Sequence, residues 1–397
     1  MITSFSIFVL LLSAYNPYTT FIFNKTGFHG ASLHQTFMIS GWLIFVILNF
    51  KTAKSVITFR LIISLFLLLG YSTFSLINGA NFGSLNASVA DVAYFVEMWM
   101  FYVAALIAIK SISAYKILKI FRNVFIINGI GLISMYLFFK SDLYFTLQLG
   151  PVRVSRALDF LIISGLLMLL YSNRSQGLHR LQYVLFVILL VFATSVGFSR
   201  GVWLALIIVM ILDISLRLAY NIYRLRIELK VSTVLISLFA SLLIITIQSN
   251  YDILDLVYAR LLDLDYDTAS IGGRITAYLS LFIESFSNYD ILLAGKGAGA
   301  YMPGLHIPAS SSPSLFGTIL YVHGLLIFAL FSIALAVVTY RLFAISFRRQ
   351  DQFGRFPIYN FLAHIIILNI FPSVSHFPVL GFLTFVSFVV LKTGDDL

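Results

Sequence analysis

The residues best suited to chemistry in this chain are arginines placed where helices begin. Arg200 stands in Gly197-Phe198-Ser199-Arg200-Gly201-Val202-Trp203, a break with almost no loop between two apolar runs. A guanidinium there joins fixed hydrogen-bond donors to the positive end of a helix dipole, which suits a phosphate or pyrophosphate. The competing reading is an anchor to lipid headgroups. Arg274 follows Gly272 and Gly273 at the start of a helical pattern, again where an anion would sit, with a solvated loop charge as the alternative. Arg153 and Arg156 share a face if a helix has begun, and Arg156 can instead pair with Asp159.

Other constellations exclude more than they suggest. Asp263, Asp265 and Asp267 have the alternating spacing of EF-hand calcium ligands, but Thr268 and Arg274 stand where that loop needs Gly and Glu. Gly295-Lys296-Gly297-Ala298-Gly299 resembles a phosphate cradle, yet it lacks the Gly-Lys-Ser/Thr continuation and reads as a plain flexible turn. His306 and His323 lie in or beside the same segment without metal-ligand spacing, so no metal is expected there; His306 is either a general base or a surface histidine. Glu97 is an acid inside an apolar run, where burial is costly, and so points to a function or a buried partner. Asp91 marks a helix entrance. The absence of cysteine removes disulfides, thiolate metal sites and cysteine nucleophiles.

Composition says what must hold these residues. Of 397 residues 60% are hydrophobic and 11% charged, with a mean hydropathy of +0.98, whereas a soluble domain carries about a quarter charged side chains. Runs of about 20 apolar residues, enough to span a bilayer, recur at 2–20, 34–50, 56–77, 91–110, 123–140, 157–172, 179–196, 201–219, 231–248, 314–340, 356–372 and 377–392. The expected fold is all-α: a polytopic integral membrane protein of about 12 transmembrane helices, one membrane domain over 1–397, with one large external loop at 249–313. The first run reads as a retained helix, since no basic residue precedes it and Tyr15, Pro17 and Tyr18 interrupt any cleavage site.

The net charge of +10 comes from residues at helix ends, so nucleic acid is not an expected partner. With the N-terminus in the cytoplasm, 18 of the 26 Lys and Arg residues fall on the inner side. The outer side receives Lys25, Lys140, Arg153, Arg156, Arg200, Arg260, Arg274 and Lys296. By this bias both termini are cytoplasmic and segment 249–313 is external. Tyr251–Leu264 and Ile275–Phe286 carry helical periodicity, followed by Gly295, Gly297, Gly299, Pro303, Gly304 and Ser310–Pro313. Two short amphipathic helices on the membrane surface, a Gly-rich turn and an extended return are expected. No internal repeat and no interrupted helix is apparent.

Ser199-Arg200-Gly201-Val202-Trp203-Leu204-Ala205-Leu206, opening a helix, resembles the signature of the O-antigen ligase and O-antigen polymerase superfamily. That family next has an external loop with an Arg, an aromatic, a Gly-x-Gly turn and a helix ending in Gly-Leu; here Arg274, Tyr278, Gly295, Gly297, Gly324 and Leu325 look similar, with Tyr278 replacing the more frequent Trp. The likeness covers roughly residues 195–330. It implies a bacterial cytoplasmic-membrane protein that moves glycan from a polyprenyl-diphosphate-linked donor at the outer face, with no cofactor. Ligases of the family, which transfer to lipid A core, have His-Asn before the terminal Gly, where this chain has Pro313 and Ser314, so a repeat-unit polymerase fits better than a ligase.

The resulting expectation is a metal-independent glycosyltransferase building O-antigen, capsule or exopolysaccharide. Arg200 and Arg274 are the catalytic candidates; Arg153, Arg156, Arg260, Tyr278, Lys296, Tyr301 and His306 are the substrate-binding ones. His306, Glu284 and Asp290 are all candidates for the base. Expected partners are the polyprenyl-diphosphate-linked oligosaccharide, membrane lipids and a chain-length regulator protein. The rival from another class, a flippase or other transporter, is set aside because related halves and interrupted helices are not seen in the sequence.

Overall fold

The computed structural model describes residues 2–14, 30–83, 85–113, 200–219, 271–304, 309, 314–348 and 355–369, with short helical pieces within 116–130 and 163–167. The described elements are helices: α1 (Ile2–Ala14), α2 (Gly30–Leu48), α3 (Phe50–Val56), α4 (Phe59–Phe82), α5 (Leu85–Ser111), α6 (Arg200–Ala219), α7 (Ile271–Ser287), α8 (Tyr289–Ala294), α9 (Leu315–Arg348) and α10 (Phe356–Leu368). Among the described residues the one β-bridge, Gly83 with Ala300, is isolated. Among the described residues, three segments are long and apolar enough to cross a membrane: Leu61–Phe82, Ala87–Ala108 and Leu315–Ala344. The pair α2 and α3, bent by 91° at Asn49, would make a fourth if it is one span. The spans expected at 179–196, 231–248 and 377–392, and the loop helix at 251–264, lie outside the described residues; those at 123–140 and 157–172 are described only in part.

Polar groups tie the apolar helices together, as they must where water cannot satisfy them. Asn49 at the bend donates to Ser6 Oγ at 2.8 Å and thereby holds α1 to α2. Trp42 Nε1 donates to the Met100 carbonyl at 3.0 Å, and Trp99 Nε1 to Ser64 Oγ at 3.3 Å, which fastens α2 and α4 to α5. Thr58 caps α4 by accepting from the Leu61 amide. A tight turn at Gly83 then reverses the chain into α5.

Two contacts set the direction of the last helices. The Phe316 amide, at the start of α9, donates to Asn369 Oδ1, just past the end of α10, at 3.3 Å. The start of α9 therefore sits at the C-terminal end of α10, and Arg355, which precedes Phe356, lies at the other end of α10. At this second end, Asp213 of α6 accepts from Arg355 Nη1 at 2.7 Å and from the Tyr359 hydroxyl at 2.6 Å. Lys110 Nζ donates to the Ser55 carbonyl at 3.0 Å, joining the end of α5 to the end of α3.

The expectation of uninterrupted spans fails at α9. Gly324 has φ 76° and ψ 176°, so helical geometry stops there and resumes with Leu325. A residue with a Cβ is strained at that φ. The break frees the carbonyls of Tyr321 and Val322, which accept instead from the Lys296 and Gly297 amides, both at 2.9 Å.

Candidate functional site

The Gly-rich segment lies folded into the helices. Every amide from Gly295 to Tyr301 has a protein acceptor: Gly295 donates to Ile291 O, Lys296 to Tyr321 O, Gly297 to Val322 O, Ala298 to the Ser75 carbonyl, Ala300 to Gly297 O and Tyr301 to Phe82 O. Gly299 donates to Asp91 Oδ2 at 2.8 Å. Asn78 Nδ2 donates back to the Gly295 carbonyl at 2.9 Å. The plain flexible turn expected from the sequence is therefore a buried wedge between α4, α5 and α9. None of these amides remains for a phosphate, which also removes the cradle reading.

Fit explains the glycines. Gly297 has φ 91°, and an added Cβ would strike the backbone of Gly79 and Ser75; one added to Gly79 would strike the Ala298 carbonyl oxygen. Tyr71, Ser75, Asn78 and Phe82 follow helical spacing along one face of α4, and this face receives the wedge.

Charge and aromatic rings meet at the wedge. Lys296 Nζ lies 3.5 Å from Glu284 Oε1, 5.2 Å from the Tyr321 ring centroid and 5.8 Å from that of Phe82. The Tyr321 hydroxyl donates to the Tyr301 carbonyl at 2.9 Å. Deeper in, the Tyr71 hydroxyl and His323 Nδ1 are 2.6 Å apart, with His323 only 4% exposed and directly before the helix break. Glu97 of α5 is 2% exposed, and neither of its carboxylate oxygens has a hydrogen-bond partner among the described residues.

Of the residues singled out by sequence, the structure brings Lys296 and Tyr301 together in the wedge. Tyr278 lies on α7, its ring 4.9 Å from that of Phe282, which packs against Gly317 of α9. Arg200 and Arg274 fall on α6 and α7, their side chains outside what is described. Arg153, Arg156, Arg260 and His306 lie outside the described residues as well. Among the base candidates, Glu284 faces Lys296 and Asp290 is exposed at the start of α8. Sequence reasoning missed Tyr71, Ser75, Asn78 and the docking role of Asp91. For the three on α4 the signal is a polar stripe of helical spacing on an otherwise apolar span.

No protein-family model matches this chain, and no curated protein matches it. Its class rests on the architecture: a helical protein with several helices long and apolar enough to cross a membrane.

Proposed function

We propose that this protein is a polysaccharide repeat-unit polymerase of the bacterial cytoplasmic membrane, a glycosyltransferase that uses a polyprenyl-diphosphate-linked donor. One observation supports it most: α7, which carries Arg274, packs with the wedge of Lys296 and Tyr301 and with the first half of α9 into one unit beside the α4–α5 turn. Arg200 belongs to the same end in this reading. Asp213 anchors α6 beside Arg355, and Arg200 lies about 20 Å from Asp213 along the helix axis, at about 1.5 Å per residue.

Arg200 and Arg274 would grip the donor diphosphate and neutralise the charge growing on it as the bond to the anomeric carbon breaks. An acceptor hydroxyl forms the new glycosidic bond and gives its proton to a base, for which His306, Glu284 and Asp290 are the candidates. Tyr301 and His306 would hold the acceptor sugar, and the polyprenyl tail would lie among the helices. Both termini are cytoplasmic in this arrangement, and the loop faces outward.

A transporter is the second reading, and the interruption of α9 at Gly324 favours it, because broken helices commonly line transport sites. Purified protein in vesicles, supplied with a polyprenyl-diphosphate repeat unit, separates the two. Longer lipid-linked product supports the polymerase. Translocation without elongation overturns it in favour of the transporter.

A further inference from the structure

We infer that α7, α8 and the wedge form a re-entrant arm sunk into the hydrocarbon layer, with Leu279, Ile283, Phe286 and Leu293 in contact with lipid acyl chains. This differs from helices resting on the membrane surface, and it holds whether the protein transfers glycan or transports it.

Depth is the first argument. The wedge meets α9 at Tyr321, Val322 and Gly324, about 10 Å along the axis from the helix start at Leu315. It meets α4 at Ser75 and Gly79, short of the end of that helix at Phe82. A segment docked only to the tips of the spans would touch neither place.

Backbone satisfaction is the second. Non-helical backbone survives at membrane depth only where protein satisfies its polar groups, and each amide from Gly295 to Tyr301 is satisfied by protein.

The third argument is continuity of the apolar surface. Ile283 is 63% exposed, Phe286 62% and Leu293 67%. The Leu293 carbonyl abuts Gly324, and the next two residues, Leu325 and Leu326, are exposed on a helix long and apolar enough to span. Glu284, the acid on α7, turns away from the stripe toward Lys296. Exposed polar residues gather instead at the α7–α8 corner, in Ser287, Asn288 and Asp290, with the exposed ring of Tyr289 beside them. That corner suits the interface, where Tyr is favoured.

The chain has no cysteine, so one introduced thiol carries one label. Nitroxides at Ile283→Cys, Leu293→Cys, Asp290→Cys and Leu326→Cys would be measured in vesicles of phosphatidylethanolamine and phosphatidylglycerol, comparing collisions with oxygen and with a water-soluble nickel chelate. Labels at 283 and 293 are expected to match the one at 326, favouring oxygen several-fold over the label at 290. If 283 and 293 collide with nickel as freely as 290, the arm lies in water and the inference fails. If both are shielded from both reagents, protein covers the stripe and the lipid assignment fails. All four positions are exposed, so the labels leave packing intact, and no substrate is needed.

Discussion

Gly79 has no room for a side chain, because the Ala298 carbonyl oxygen stands where its Cβ would go. Gly79→Ala is expected to cost about 1–3 kcal/mol or more by overpacking, read as a lower thermal midpoint in detergent. Gly70, on the same helix with nothing within 4 Å, is the control: Gly70→Ala should leave the midpoint unchanged or raise it. Asp91→Ala removes the acceptor of the buried Gly299 amide and is expected to cost about 1–3 kcal/mol. Glu284→Gln should change stability by less than about 1 kcal/mol, since the Lys296–Glu284 pair is 3.5 Å apart and neither side chain is fully buried. On the functional side, Arg200→Ala and Arg274→Ala should each abolish polymer laddering while the amount of membrane protein is maintained. A normal ladder from either variant removes that residue from the mechanism.

At the scale of elements, the Asp213, Arg355 and Tyr359 cluster joins α6 to α10. Tyr359→Phe should cost about 1 kcal/mol, the worth of one hydrogen bond. Arg355→Ala should cost more, yet less than the roughly 3–5 kcal/mol of a fully buried pair, because Arg355 keeps 20% of its side chain exposed. Thermal midpoints of the two variants test this order. The bodies of the described helices are legible in the sequence: α9 is expected from 314 and starts at Leu315, and α6 and α10 begin where hydropathy rises. Their outer ends are not. The sequence reading stopped the third span at 77 and started the fourth at 91, yet α4 runs to Phe82 and α5 begins at Leu85. The omitted residues include Asn78, Gly79 and Ser88, which are small or polar because they receive the wedge. Hydropathy reads such residues as loop. The break at Gly324 escaped notice for a related reason: the apolar run continues through it, and the amides that compensate it come from a distant segment. Of the candidate site, the Lys296 and Tyr301 neighbourhood was legible as a Gly-rich motif, but its burial was not.

At the scale of the molecule, the described helices share two ends. One holds the α4–α5 turn, the wedge, the start of α9 and the end of α10; Arg355 and Asp213 meet at the opposite end of α10. Reporter fusions after Gly83 and after Gly304 should therefore report the same side, the periplasm in the proposed arrangement, and a fusion after Arg348 the opposite one. Agreement of all three would contradict the arrangement. The stitching of α9 also bears on synthesis. Ala298 and Gly299 dock onto α4 and α5, which leave the ribosome before them, while the amides of Lys296 and Gly297 wait for Tyr321 and Val322. A nascent chain halted between these two stretches holds a half-secured arm with two bare donors. With the arm in the hydrocarbon layer as inferred, its release into lipid would be favourable once the first turns of α9 have emerged, and arm and helix would leave the insertion machinery together.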